Sequence, residues 1–148
     1  MFSRIVVGID GSEASENAFR LACDIAQKYT SEIHVVHTPQ PKTVAFALGA
    51  TTGYHTVTTM PSEDEVQAAS DKIVQSVAAI ADNFQLAISG VNTERGDPAD
   101  QLAGYAEKCE ADLIVTGRRG LGGVGSLLLG STTQKVSHLA KCACLSTV

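Results

Sequence analysis

Five short apolar runs are spaced along the chain with a helical stretch between each pair, and no other feature limits the fold so severely. Ile5-Val6-Val7-Gly8-Ile9 is apolar at consecutive positions, as a strand covered on both faces must be. Ile33 to Thr38, Leu86 to Val91 and Ala111 to Thr116 repeat the signal, and Cys142 to Val148 fits a fifth strand. Strands that alternate with helices require parallel pairing and right-handed crossovers, with helices on both faces of one sheet. The expectation is a doubly wound α/β fold in a single domain over residues 1–148, a normal domain size.

The helical stretches carry their own boundaries. Ser12 is a good N-cap, and Glu13 and Glu16 suit a positive helix start. The stripe Ala18, Leu21, Ala22, Ile25 and Ala26 is expected to face inward. Ser62 and Glu65 form a capping box, after which Val66, Ala69, Ile73, Val77, Ile80 and Phe84 recur at helical spacing. Asp97 caps a third helix with Pro98 at its first position, and Leu102, Tyr105 and Ala106 point inward. A short helix starts at Ser131. Between Pro39 and Pro61 the periodicity fails, and Pro39, Pro41, Gly49 and Gly53 mark a long connection of the kind that serves as a lid or binding loop.

A net charge of -5 argues against a long polyanion as partner, because nucleic-acid binders need a basic stripe. A single nucleotide is a different matter, since backbone amides at a helix start hold phosphates with few cations. No apolar run reaches the roughly 18 residues of a membrane span, and the protein reads as cytoplasmic. Cys23, Cys109, Cys142 and Cys144 form no C-x-x-C pair, and His138 with Cys142 lacks a second ligand pair, so buried reduced thiols are expected. His34 and His37 read as strand packing or polar contacts rather than catalytic bases.

In sheets of this kind the ligand crevice lies beyond the strand carboxyl ends, where chain order reverses. Two loops there look unlike plain connectors: Asp10-Gly11-Ser12, and the stretch from Gly117 to Gly130. Glycine lets the backbone approach a ligand with no Cβ in the way. Gly130-Ser131-Thr132-Thr133 would set amides and hydroxyls at a helix start, where the dipole favours an anion. Arg118 and Arg119 stand in the same loop. Gly120-Leu-Gly122-Gly123-Val-Gly125 matches G-x-G-x-x-G, but no helix continues from it and no acidic residue follows at the ribose position. The P-loop ending G-K-[ST] is absent.

The spacing that is present is Gly117-x2-Gly120-x9-Gly130-Ser131. With Asp10-Gly11-Ser12, Val35-Val36-His37, Gly96-Asp97-Pro98, Ala111 to Gly120 and Leu127 to Ser131, it resembles the ATP-binding members of the universal stress protein family along nearly the whole chain. That resemblance implies a five-stranded parallel sheet of order 3-2-1-4-5 with ATP at the switch point. It implies an ATP site built from Gly8, Ile9 and Asp10 after the first strand, with Asp10 at the adenine end and Thr38 lining the base pocket. Thr116 and Gly117 would begin the loop that encloses the ribose, Gly120 would let it turn, and Arg119 of that loop could pair with outer phosphates. Gly130, Ser131, Thr132 and Thr133 would take the phosphates, in some members with a divalent cation such as magnesium or manganese bound through them. It also implies a homodimer through the strand 142–148, although the tail lacks the proline and the apolar run common there.

Efficient phosphoryl transfer needs positioned cations, metal ligands and a group to orient the nucleophile. The residues expected near the phosphates are hydroxyls and amides. A nucleotide-responsive regulator of the stress response is therefore expected, with a slow ATPase or a dimer with an empty pocket as alternatives.

Overall fold

A computed structural model of the protein describes residues 1–49, 61–121 and 129–148. Five strands form one sheet: β1 (Arg4–Ile9), β2 (Glu32–His37), β3 (Ile88–Thr93), β4 (Leu113–Gly117) and β5 (Ala143–Thr147). Their order is β3-β2-β1-β4-β5, all pairs parallel, so chain order reverses between β1 and β4 as expected. The register sets Ile5 beside both Ile33 and Leu113, which places three β-branched or leucine side chains in one row.

Helices cover both faces. On one, α1 (Glu13–Tyr29) and α3 (Glu63–Asn83) seal Ile5, Val7, Ile9, Ile33, Val35 and Val115. On the other, α4 (Pro98–Lys108) and α5 (Ser131–Leu139) cover Val6, Val36 and Ile114 with Leu102, Ala106 and Val136. The alternation along β1 thus divides its side chains between two apolar layers, which is why the run has no polar position.

The buried face of α1 is rotated from the expected stripe. Ala18, Phe19, Ala22, Cys23 and Ala26 are buried, while Leu21 and Ile25 are only half-buried. Phe19 carries the largest fully buried side chain, and it turns the helix toward the sheet.

The long connection is not wholly irregular. Pro41–Ala47 forms α2, started by Pro41 at its first position and by Thr43, whose hydroxyl accepts the Gln40 N–H at 2.8 Å. Val44 packs on Val66 and Ala69 of α3, so tertiary burial holds a helix too short to stand alone. Residues 50–60, the rest of that connection, lie outside the described residues, as do 122–128 with Gly122, Gly123, Gly125, Leu127 and Leu128.

Candidate functional site

A cavity of about 490 Å3 opens at the carboxyl ends of β1, β2 and β4. All twelve expected site residues line it: Gly8, Ile9, Asp10, Thr38, Thr116, Gly117, Arg119, Gly120, Gly130, Ser131, Thr132 and Thr133. The volume is in the range of small-molecule sites. Arg118, in contrast, is not part of this wall. Its N–H donates to the Thr147 carbonyl at 2.5 Å and ties the end of β4 to β5.

Asp10 follows β1 and joins two loops. Its Oδ1 accepts the Ser12 N–H at 3.0 Å and the Ser12 hydroxyl at 2.5 Å, and its Oδ2 accepts the Leu121 N–H at 3.4 Å. Gly120 packs directly on that carboxylate, and a Cβ there would overlap Oδ2. Gly117 has a different reason: a Cβ on it would stand 2.7 Å from the Ala14 carbonyl carbon, so glycine lets β4 run close to the first turn of α1.

The cavity also reaches the start of α5. Gly130 is its N-cap and makes no side-chain bond, so Ser131 is the first helical residue and does not cap the helix. The Gly130 N–H donates to the Arg118 carbonyl at 2.8 Å, which brings the two ends of the glycine-rich stretch together. Beyond it, the first-turn amides of α5 have no intrahelical acceptor. The Thr133 hydroxyl is engaged internally, donating to the Gly117 carbonyl at 2.9 Å and accepting from the Thr116 hydroxyl at 3.4 Å. Ser131 and Thr132 line the cavity beside it.

Several lining residues escaped the sequence reading. Gln40 is the N-cap of α2 and Lys42 and Thr43 lie in its first turn, and their signal was a short proline-initiated helix hidden in a segment without periodicity. Pro98 and Leu102 of α4 also line the cavity, with Val36 of β2 and Thr38 just past the end of that strand. His37 points to the opposite layer. It is fully buried, its Nδ1–H donates to the Ile9 carbonyl at 3.0 Å, and desolvation holds its pKa below the usual histidine value. His34 bonds through Nδ1 to the Tyr105 hydroxyl at 3.0 Å. Neither histidine lines the cavity. All four cysteines are free thiols; Cys23 is buried and its pKa is pushed up to about 11, whereas Cys109 and Cys142 are only half-buried and Cys144 is exposed, contrary to the expectation of burial.

The fold and this crevice define a doubly wound α/β protein with a glycine-walled cavity at its topological switch point. The family model described as Universal stress protein family matches residues 1–146, and the chain belongs to that family. A Universal stress protein in QAH/OAS sulfhydrylase 3'region from Thermus aquaticus is 35% identical over 150 residues, covering 98% of each chain. A solved universal stress protein in complex with cAMP is 24% identical with a TM-score of 0.63, covering 99% of this chain and 97% of that one. A universal stress protein from Archaeoglobus fulgidus in complex with dAMP is 18% identical with a TM-score of 0.67, covering 98% and 97% respectively. No helix among the described residues is long and apolar enough to cross a membrane.

Proposed function

We propose that the protein binds ATP in the switch-point cavity and acts as a cytoplasmic, nucleotide-responsive regulator, folded as one domain over residues 1–148. The observation that carries this reading is the convergence of Asp10, Thr38, Gly117, Gly120, Gly130 and Ser131 on one cavity beside the bare N-terminus of α5. Asp10 and Thr38 would face the base, and the Ser131 and Thr132 hydroxyls with the α5 amides would hold phosphates, with a divalent cation held through them. The nucleotides named for the solved relatives, cAMP and dAMP, support an adenine ligand. Binding without turnover is favoured because Asp10, the nearest carboxylate in the cavity wall, stands at the assigned base end and is engaged by Ser12.

Nucleotide titration of wild type, Gly130→Val and Ser131→Ala tests the assignment, with circular dichroism to confirm folding. Wild type should bind ATP with magnesium, Gly130→Val should lose binding, and Ser131→Ala should weaken it. A wild type that ignores ATP, or a Gly130→Val that binds as well, would remove the reading. Phosphate release in the same samples separates a binder from an ATPase.

The proposed homodimer rests on β5. Its outer edge has no strand partner among the described residues, and Ala143, Cys144, Leu145 and Ser146 are all exposed. An edge with an exposed leucine and no charge is open to pairing with a second copy. Leu145→Lys should shift the sedimentation profile from dimer to monomer; a monomeric wild type would refute the proposal.

A further inference from the structure

We infer that the nucleotide cavity continues into a second one that receives the end of the phosphate chain, and that Lys42 reads the charge there, making the protein selective for nucleoside triphosphates over monophosphates. This rests on the nucleotide-binding reading above. The second cavity, of about 420 Å3, lies against the first, and Gln40, Lys42, Pro98, Ser131 and Thr132 line both. Asp10 and Thr38 line only the first. The passage between the two therefore stands at the α5 end, where the phosphates would run, and not at the base end.

Charge decides what can pass. In the second cavity Lys135 is held between Asp97 Oδ1 at 3.1 Å and Asp100 Oδ1 at 2.9 Å, so the two carboxylates outweigh its charge and it offers none to a phosphate. Lys42 is exposed on α2 and has neither an ion pair nor a side-chain hydrogen bond among the described residues. A phosphate chain leaving the α5 amides thus meets one unbalanced cation at the junction, and each added phosphate brings more negative charge to it. A monophosphate anchored at Ser131 reaches the same junction but brings less negative charge to Lys42 than a triphosphate does. An ammonium on a flexible stem suits this role, since it binds phosphate as a point charge and demands no fixed fork geometry.

The test is calorimetric titration of ATP, ADP and AMP against wild type, Lys42→Ala, Lys42→Arg and Lys42→Glu, all with magnesium. Wild type should bind ATP roughly tenfold more tightly than AMP, the effect of one charged contact. Lys42→Ala should bring the two affinities close together, Lys42→Arg should keep the preference, and Lys42→Glu should favour AMP. If wild type binds AMP as tightly as ATP, or Lys42→Ala keeps the full preference, the inference is overturned while the cavity assignment stands. If no nucleotide binds at all, both readings fall.

Discussion

The two ends of the sheet are built from the same five strands and behave as opposites. At the amino end, polar groups close on one another. Asp112 Oδ2 accepts the N–H of Ser3 at 2.6 Å and of Arg4 at 3.0 Å, and Arg4 Nε donates to Glu32 at 2.7 Å. Arg4 also donates to the Cys109 carbonyl, and the Ser31 hydroxyl donates to the Phe2 carbonyl. The backbone bonds hold the Asp112 carboxyl below its usual range, and the Arg4 contact does the same for Glu32. At the carboxyl end, glycines bring loops together and a helix start is left with its amides open. Pairing closes the first end; at the second, paired loops frame a cavity onto which the first-turn amides of α5 stay open.

If the division is sound, the carboxyl end should hold one position whose loss is felt as stability. Gly117 is that position, because β4 passes against the Ala14 backbone there and backbone cannot move aside as a side chain can. Gly117→Val should cost about 3 kcal/mol in urea denaturation, the upper end of overpacking penalties. Gly104 in α4 is the control, with no atom within 4 Å of the position its Cβ would take. Gly104→Ala should stabilise by roughly 0.5–1 kcal/mol through helix propensity. Equal effects at the two glycines would show that the Gly117 contact is soft.

A paired comparison sharpens the contrast at lower cost to the protein. Asp112→Ala removes an acceptor for two backbone amides and should lower stability by about 1 kcal/mol after allowing for solvent screening. Nucleotide affinity should not change. Ser131→Ala should do the reverse, weakening ATP binding while stability stays within about 0.5 kcal/mol, since Ser131 caps nothing. Should Asp112→Ala reduce affinity as strongly as Ser131→Ala, the two ends are coupled through the sheet and the division fails.

The fold was legible because each level of the sequence agreed with the others. The doubly apolar run of β1, the Ser62–Glu65 box and Asp97-Pro98 all point to the elements found. Two things were not legible. The rotation of α1 depends on where Phe19 finds space in the core, which is a tertiary fact that helical spacing alone does not carry. The helix α2 is held by Val44 against Val66 and Ala69, residues far along the chain, so nothing local marks it beyond Pro41 and Thr43. Its side chains line the cavity, and for that reason Gln40, Lys42 and Thr43 were missed while all twelve motif-derived residues were found at the wall.

The smallest expected effect comes from His37, which sits beneath the carboxyl end but belongs to the closed core. Burial lowers its pKa, and this is partly offset by the Ile9 carbonyl bond and by the charge of Asp10. Above the unfolded value of 6.5 the ring is neutral in both states and contributes no pH dependence. Below it the unfolded chain takes up a proton that the native core still refuses, so stability falls as pH drops through 6.5 and levels off once the folded pKa is passed. The carboxylates of Asp97, Asp112, Glu32 and Glu65 are held below their ordinary values of 3.8 for aspartate and 4.5 for glutamate. Their contribution is intact above those values and lost only in stronger acid, so the two windows do not overlap. Urea midpoints at about pH 7.5 and pH 5.5 should therefore differ for wild type and converge for His37→Asn, whose side-chain amide can still donate to the Ile9 carbonyl. If His37→Asn keeps the wild-type slope, the proton is taken up elsewhere and His37 is more accessible than its burial indicates.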